Sequence, residues 1–251
     1  MAQQNIYDND EFFNSFKGIR EQDINYNDMI ETPILHKMLP DLTGKNVLDI
    51  GCGMGQHAKQ YSDMGAKSVL GIDISEKMLA FAKEHNSAPN ITYCRMAFED
   101  LEKLSDKFDV ITSSLAFDYV KDFGELMKKI HNLLVPGGKL VFSMSHPIST
   151  AYDGVYDRYT RNENGEKLYA NLHNYSIEGI RKVKWVVDDY ELYHRKVSTL
   201  INEMISAGFV IEECQEAKLP DDIPEEMYQK YLDMFGGIIH HPDFIFFRVS
   251  C

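Results

Sequence analysis

The sequence is poor in cysteine, in long apolar runs and in positive charge. Its four cysteines lie far apart without a Cys-x-x-Cys pair, so neither a disulfide framework nor a cysteine-based zinc site is indicated, and reduced thiols are expected. No run of about 18 apolar residues occurs, which argues against a membrane span. Residues 1–8 offer neither a basic leader nor an apolar run, so we expect a cytoplasmic location.

Positive charge is scarce relative to negative charge. The chain has 26 Lys and Arg residues against 39 Asp and Glu residues, a net charge of −13. This balance repels phosphate backbones and therefore disfavours nucleic acid as a partner. The acid is concentrated between Val210 and Phe235, where we expect a solvated face or loop.

What is present is the patterning of a globular α/β protein. Hydrophobic residues make up 44% of the 251 residues, enough for one continuous core. Between Asn46 and Cys94 short apolar runs alternate with helical patterns in a βαβαβ order, which predicts a parallel sheet, and Ser75 is a predicted helix N-cap. Later patterns predict strands at Phe108–Ser113, Lys139–Ser145, Phe209–Glu213 and Phe244–Val249, and helices at Phe123–Leu134 and from Val197.

This regularity stops after His146-Pro147. Residues 151–195 hold seven of the fourteen tyrosines and the only tryptophan, with a predicted turn at Asn162–Gly165. We expect an aromatic insertion with its own short strands, lying over the carboxyl edge of the sheet, where ligands bind in open α/β folds. Its aromatic residues are Tyr152, Tyr156, Tyr159, Tyr169, Tyr175, Trp185, Tyr190 and Tyr193.

The sharpest chemical signal is the segment Val47–Gly55, in which a buried strand opens into a glycine-rich turn that starts a helix. Glycines there let a ligand lie against bare backbone, and the helix N-terminus offers free N–H donors. A nicotinamide or flavin fingerprint needs Gly-x-Gly-x-x-Gly, but the last position falls on Gln56 or on Ala58, depending on the starting glycine. The spacing therefore argues against a dinucleotide oxidoreductase.

Two acidic residues accompany this turn. Asp49 stands two residues before Gly-x-Gly-x-Gly, and Asp73 lies at the end of the next strand. A carboxylate at the second position can accept both hydroxyls of a ribose. The pair predicts a nucleoside ligand without a 2′-phosphate.

With these motifs the chain resembles the class I S-adenosylmethionine-dependent methyltransferases. The resemblance covers most of the chain, and its matching segments in order are Asp49–Gly55, Gly71–Ser75 with Met78, Phe108–Ile111 and Leu134–Leu140. It implies a Rossmann-like fold with a seven-stranded mixed sheet flanked by helices, S-adenosylmethionine as cofactor and S-adenosylhomocysteine as product. A more specific likeness is to a bacterial small-molecule branch of type-11-like methyltransferases.

The resemblance also implies the residues that bind the cofactor. Gly51 to Gly53 would line the methionine and ribose portion, Asp73 would hold the ribose hydroxyls, and Asp49 would act on the methionine end. Ile74 and Met78 would pack on the adenine. The whole predicted set is Arg20, Asp49, Gly51, Cys52, Gly53, Gly55, Asp73, Ile74, Met78, Ala97, Phe98, Glu99, Ser113 and Leu115.

The chain departs from the family at two places. Relatives often carry an acid after the third strand that meets the adenine amino group, whereas this chain has Arg95–Asp100. Either Ala97–Glu99 contacts the adenine edge or the contact is absent. The alternative for Glu99 is that its carboxylate stabilises the N-terminus of a helix. The branch usually continues Ser113–Phe117 with His-Tyr, and Asp118 in place of that histidine puts any catalytic role of the position in doubt here.

Candidates for the acceptor side come from the same branch. His146 and His194 are predicted to take a proton from an oxygen or nitrogen acceptor, and Tyr175, Arg181 and Arg195 to bind substrate. The alternatives stay open. The histidines would then close a turn and pack in the insertion, and the arginines would pair with surface carboxylates.

A metal site is not predicted. His240 and His241 with Asp243 suggest one, but adjacent histidines on an extended segment point to opposite faces, and the spacing places no third ligand.

The sequence therefore predicts one methyltransferase domain over residues 1–251. It comprises an N-terminal helical cap (1–44), a cofactor-binding core (45–146), a substrate-side insertion (147–195) and a C-terminal part that completes the sheet (196–251). The predicted reaction is in-line methyl transfer to a small-molecule oxygen or nitrogen acceptor under a water-excluding aromatic lid. A tRNA or protein methyltransferase and a non-catalytic S-adenosylmethionine-binding module are the alternatives.

Overall fold

The computed structural model of the chain describes residues 5–22, 24–152, 157–183, 190–221 and 223–251. The strands are β1 (Asn46–Ile50), β2 (Ser68–Asp73), β3 (Ile91–Arg95), β4 (Phe108–Ser114), β5 (Leu134–Ser145), β6 (Tyr159–Arg161), β7 (Lys167–Ala170), β8 (Gly179–Val183), β9 (Tyr190–His194), β10 (Val210–Glu216) and β11 (Phe244–Ser250). The α-helices are α1 (Asp10–Arg20), α2 (Thr32–Met38), α3 (Gln56–Asp63), α4 (Glu76–His85), α5 (Phe123–Leu133), α6 (Pro147–Thr150), α7 (Val197–Ser206) and α8 (Glu225–Phe235).

Seven strands form one mixed sheet in the order β10-β11-β5-β4-β1-β2-β3. The neighbours from β5 to β3 pair in parallel, and β11 is antiparallel to both β5 and β10. The chain runs from β1 outward to β3 and then returns to place β4 on the other side of β1. Ligands bind at such a switch point, outside the carboxyl ends of the strands. The predicted seven-stranded mixed sheet is confirmed.

Alternating side chains of the strands bury both faces of the sheet. On one face, strand residues such as Leu48 and Phe142 pack with α5 and α7 through Met127 and Met204. On the other face, α2, α3 and α8 cover the sheet in two further clusters. Helices cover both faces of the sheet. Side chains that can reach a ligand therefore lie at the carboxyl ends of the strands, which we call the carboxyl edge.

Local signals correctly placed the elements that lead into this edge. The hydroxyl of Ser75 accepts a hydrogen bond from the Met78 amide at 3.1 Å, which confirms the predicted N-cap of α4. Strand β5 begins at Leu134, earlier than the predicted Lys139, because Leu134 already pairs with Phe108. The segment Val210–Phe235 is not only a solvated face or loop: it contains the whole of β10 and the helix α8.

The N-terminal part precedes the sheet as short helical pieces. A one-turn 3₁₀ helix (Ile6–Asp8) leads into α1, whose N-cap Asn9 accepts from the Phe12 amide at 3.0 Å. A π-helical stretch (Asn27–Glu31) then leads directly into α2. The π-helical stretch places Glu31 in the interior, with 0% of its surface exposed.

The insertion forms two antiparallel hairpins, β6–β7 and β8–β9, as expected of a region with its own short strands. Its predicted turn is present, with the Gly165 amide donating to the Asn162 carbonyl at 3.0 Å. Tyr156 and Trp185 lie outside the described residues. No helix within the described ranges is both long and apolar enough to cross a bilayer.

Candidate active site

The glycine-rich turn lies at the carboxyl end of β1, against β2 and β4. The amides of Gly51 and Cys52 donate to the Ile72 carbonyl at 2.8 and 2.9 Å. Gly51 has φ +71°, and a Cβ atom there would lie 2.4 Å from the Cβ of Ala116, so only glycine fits. Gly53 also has a positive φ, +51°, but apart from its two chain neighbours no described residue lies within 4 Å of where its Cβ would be. The turn therefore packs tightly at its start and is open at Gly53.

Asp73 closes the turn from the end of β2. One carboxylate oxygen accepts from the Gly53 amide at 2.9 Å, and the other accepts from the Ser75 amide at 2.8 Å. Burial raises the pKa of this carboxyl group above its usual value, and the two backbone donors oppose that shift. Asp73 thus joins the glycine-rich turn to the start of α4.

Asp49 lies beneath the same turn with 1% of its surface exposed. One of its oxygens accepts from the Thr112 hydroxyl at 3.2 Å, and the other has no hydrogen-bond partner among the described residues. Burial raises the pKa of Asp49 to about 6, opposed by the charge of His57 and the Thr112 hydrogen bond. A buried acceptor without a partner costs free energy, so this atom is a place where a ligand donor would be favourable.

The end of β4 forms the opposite wall. The hydroxyl of Ser113 donates to the Ile50 carbonyl at 2.9 Å, so this side chain fixes β4 to β1. Leu115 has φ +50°, a strained conformation for a non-glycine residue, and its amide donates to the Ser143 carbonyl at 3.1 Å. This backbone turn brings Ala116 against Gly51.

The predicted adenine side follows β2 and β3. Ile74 is half-buried, whereas Met78 is 1% exposed and lies in the interior. Ala97 caps a 3₁₀ helix (Phe98–Lys103), and the Phe98 ring lies 3.8 Å from where a Cβ of Gly51 would be. Glu99 is exposed at the start of that helix.

The N-terminal segment reaches across the carboxyl edge. Asp8 accepts from the Ser75 hydroxyl at 2.6 Å and from the Lys77 amide at 3.1 Å, directly beside Asp73. The hydroxyls of Tyr7 and Tyr119 lie 2.8 Å apart. Arg20 is 8% exposed; its guanidinium lies 3.3 Å from Asp28 and 3.4 Å from the Asn25 side chain.

Both predicted histidines are buried and use both ring nitrogens within the protein. His146 accepts from the Ile148 amide at Nδ1, and its Nε2 lies 3.0 Å from Glu216. His194 must donate from Nε2 to the Tyr175 carbonyl at 2.9 Å, so its Nδ1 accepts from the Thr150 hydroxyl at 2.8 Å. Burial lowers the pKa of each. Their predicted role in proton transfer stays a prediction.

The predicted substrate residues are anchored to backbone groups. Arg181 donates to the carbonyls of Asn174 and Ile177, and Arg195 donates to those of Val120 and Lys121. The hydroxyl of Tyr175 accepts from the Val197 amide at 3.1 Å. Arg195 thereby connects the insertion to the segment after β4, and substrate binding by the three residues stays a prediction.

Sequence reasoning missed two residues at this edge, Glu31 and His57. The Nε2 atom of His57 lies 3.6 Å from the Glu31 carboxylate. Both are buried, and Glu31 also bonds to the end of β4. A lone acid and a lone histidine carry no spacing signal, so no local pattern could have paired them.

The C-terminal histidines do not lie on an extended segment, and that expectation was wrong. They follow a 3₁₀ helix (Gly236–Ile239), and the amide of His240 donates a hydrogen bond to the Gly237 carbonyl at the end of that helix. His241 is buried and its Nε2 lies 3.1 Å from the Tyr159 hydroxyl. In the part of the chain that the structure describes, no group of three or more His, Cys, Asp or Glu side chains could hold a metal ion.

Comparison with known proteins gives the family. A family model described as a methyltransferase domain matches residues 48–142. An uncharacterized protein of Haemophilus influenzae is 35% identical over 249 residues, covering 97% of this chain and 95% of its own length. The crystal structure of an S-adenosylmethionine-dependent methyltransferase of Mesorhizobium loti is 34% identical with a TM-score of 0.76, covering 88% of this chain and 97% of its own.

These matches and the site's geometry define an enzyme of class I methyltransferase fold. The chain belongs to the S-adenosylmethionine-dependent methyltransferases. A more distant relative, the ubiquinone biosynthesis O-methyltransferase of Pseudomonas syringae, is 36% identical over 115 residues, 45% of this chain and 49% of its own length.

The residues present fit this cofactor. The open side of Gly53 leaves room for a ligand against bare backbone, and the Asp73 carboxylate stands at the end of β2 where ribose hydroxyls are received. The oxygen of Asp49 that has no partner among the described residues leaves an acceptor that a donor group of the cofactor would satisfy.

Proposed function

We propose that this enzyme methylates an oxygen or nitrogen atom of a small molecule. The proposal rests on the way in which the N-terminal segment and the insertion together cover the carboxyl edge of the sheet; we call this cover the roof. Tyr7 of the N-terminal segment meets Tyr119 after β4, and Phe12 of α1 packs with Leu192 of the insertion in one buried cluster. A roof of this kind encloses a small acceptor and excludes water, whereas a macromolecular substrate needs an open approach.

Charge supports the same choice. The net charge of −13 disfavours a phosphate-rich substrate such as tRNA. The relative from Pseudomonas syringae is named for an O-methyltransferase of ubiquinone biosynthesis, which agrees with a small acceptor and an oxygen nucleophile.

S-adenosylmethionine supplies a methyl group on a positively charged sulfur. Under the proposal this chain's residues bind and orient it: Asp73 receives the ribose hydroxyls, the turn at Gly53 lies along the ligand, and Asp49 and Arg20 face its methionine end. The remaining residues of the proposed cofactor site are Gly51, Cys52, Gly55, Ile74, Met78, Ala97, Phe98, Glu99, Ser113 and Leu115.

For the acceptor, the proposal keeps His146 and His194 as the groups that would take up a proton. Because each is buried with a lowered pKa, each is neutral near pH 7 and can accept one. Either must first give up a hydrogen bond to the protein. His194 has the simpler route, since the Thr150 hydroxyl on its Nδ1 also lies 3.3 Å from the Pro147 carbonyl and can donate there instead.

The test is an acceptor screen read out as S-adenosylhomocysteine release by mass spectrometry. Separate arms contain small phenols, carboxylic acids and amines, total tRNA, and a mixture of proteins, with Asp73→Ala as the control for cofactor dependence. We expect at least one small-molecule arm to exceed the acceptor-free rate tenfold with the wild type and not with the variant. Release confined to the tRNA or protein arm would contradict the proposal.

A further inference from the structure

Glu31 is a fully buried carboxylate where several elements of the site meet. One oxygen accepts from the hydroxyl of Ser114 at the end of β4, at 2.9 Å, and from that of Ser143 in β5. The other lies 3.6 Å from Nε2 of His57, in the first turn of α3, and accepts from the Thr32 hydroxyl at 3.2 Å. This single side chain therefore joins the N-terminal segment to β4, β5 and α3.

The surroundings keep this group charged. Burial opposes ionisation of Glu31, but His57 and the serine hydroxyls together hold its pKa below the ordinary value. Burial likewise opposes protonation of His57, yet Glu31 and Asp49 raise its pKa. A buried ion pair is generally no more stabilising than well-packed apolar residues of the same volume. Stability alone is therefore a weak explanation for a charged pair here.

The pair adjoins the end of the cofactor site that would receive the methionine portion. Ser114 is the last residue of β4 and stands between the proposed contact residues Ser113 and Leu115, and His57 follows the glycine-rich turn by two residues. Asp49 interacts electrostatically with His57, and Arg20 with Glu31. Positive and negative groups thus alternate around this end. An amino-acid group carries one ammonium and one carboxylate, and this alternation is complementary to it.

We propose that Glu31 is a positioning residue for the amino-acid end of the cofactor. It acts through Ser114 and His57, since its own oxygens are already occupied by protein donors. The inference rests on the proposed cofactor-binding residues and adds that the amino-acid end is held by a separate charged network. Ligands that carry this end should depend on Glu31, and ligands that lack it should not.

The experiment compares two ligands by calorimetry. S-adenosylhomocysteine keeps the amino-acid end, whereas 5′-methylthioadenosine keeps the nucleoside and the thioether but lacks it. For Glu31→Gln we expect the Kd of S-adenosylhomocysteine to rise at least tenfold and that of 5′-methylthioadenosine to change less than twofold. Asp109→Asn is the matched control, because it makes the same kind of change at the opposite end of β4, where Asp109 accepts from the Asn46 amide. It should change neither Kd.

A second variant covers the case in which Glu31→Gln does not fold. Ser114→Ala removes one donor to Glu31 and leaves its pair with His57. It should weaken the binding of S-adenosylhomocysteine about threefold, a loss of about 0.7 kcal/mol. It should leave the Kd of 5′-methylthioadenosine unchanged. Equal weakening of both ligands, or an unchanged Kd for S-adenosylhomocysteine, would overturn the inference. A wild-type protein that binds neither ligand would instead overturn the proposed function.

Discussion

At the scale of single residues, the burial of Asp49 costs the fold stability. Its carboxyl group is buried, one oxygen has no partner in the described part of the chain, and its pKa is raised to about 6. Such a group holds its proton in the folded state at pH values where the unfolded chain has already released it. Between its ordinary pKa and about 6, the free energy of unfolding therefore falls as pH rises.

We predict that Asp49→Asn is more stable than the wild type at pH 7.5, by an amount on the order of 2 kcal/mol. The amide keeps the shape and can accept from Thr112 but carries no charge to bury. At pH 4 the difference should vanish, because the wild-type group is then protonated in the fold. Urea unfolding at the two pH values measures this, with Asp109→Asn as the control. A wild type at least as stable at pH 7.5 would show that Asp49 is not held at a cost.

At the scale of elements, the carboxylate of Asp8 connects the N-terminal segment to the start of α4. Asp8 accepts from the hydroxyl and amide that begin α4, and it acts there as an additional cap for that helix. The rest of the roof is aromatic packing around Tyr7 and Phe12. Since helix α1 has only 11 residues, it depends on such contacts to stay in place.

We predict that Asp8→Ala loosens this segment without unfolding the sheet. Loss of a cap of this kind costs about 1 kcal/mol locally. Hydrogen exchange of peptides within residues 5–20 should therefore quicken about fivefold, while peptides from β1 and β4 keep their protection. Asp10→Ala is the matched control, because its side chain is 91% exposed and the ion pair that it makes within the described residues, with Lys77, lies at the surface. Equal exchange in the two variants would contradict this account of Asp8.

The same elements show what the sequence could predict. The strands and the cap at Ser75 follow from apolar runs and from a hydroxyl before a helix, which are local signals. Helix α8 was missed because the region is acidic, although Tyr231 and Phe235 stand four residues apart and pack in a core cluster. Glu31 was missed for another reason. Its partners in β4 and β5 lie 83 and 112 positions along the chain, and only the fold brings them together.

At the scale of the whole molecule, the sheet order explains why these groups meet. The chain reverses between β1 and β4, so the glycine-rich turn, Asp73 and the end of β4 share one edge. The N-terminal segment and the insertion both dock there, through contacts such as Tyr7 with Tyr119 and Arg195 with the Val120 carbonyl. Residues from the start, middle and later part of the chain thereby meet at one edge of the sheet.

We propose that this edge binds S-adenosylmethionine through Asp73 and the turn at Gly53. Calorimetric titration of the purified protein with S-adenosylmethionine, with NAD as a control ligand and Asp73→Ala as a control variant checked for its fold, tests it most directly. We predict micromolar binding of S-adenosylmethionine, no binding of NAD, and at least tenfold weaker binding by the variant, a loss of about 1.4 kcal/mol. Preference for NAD, or equal affinity in the folded variant, would contradict the account.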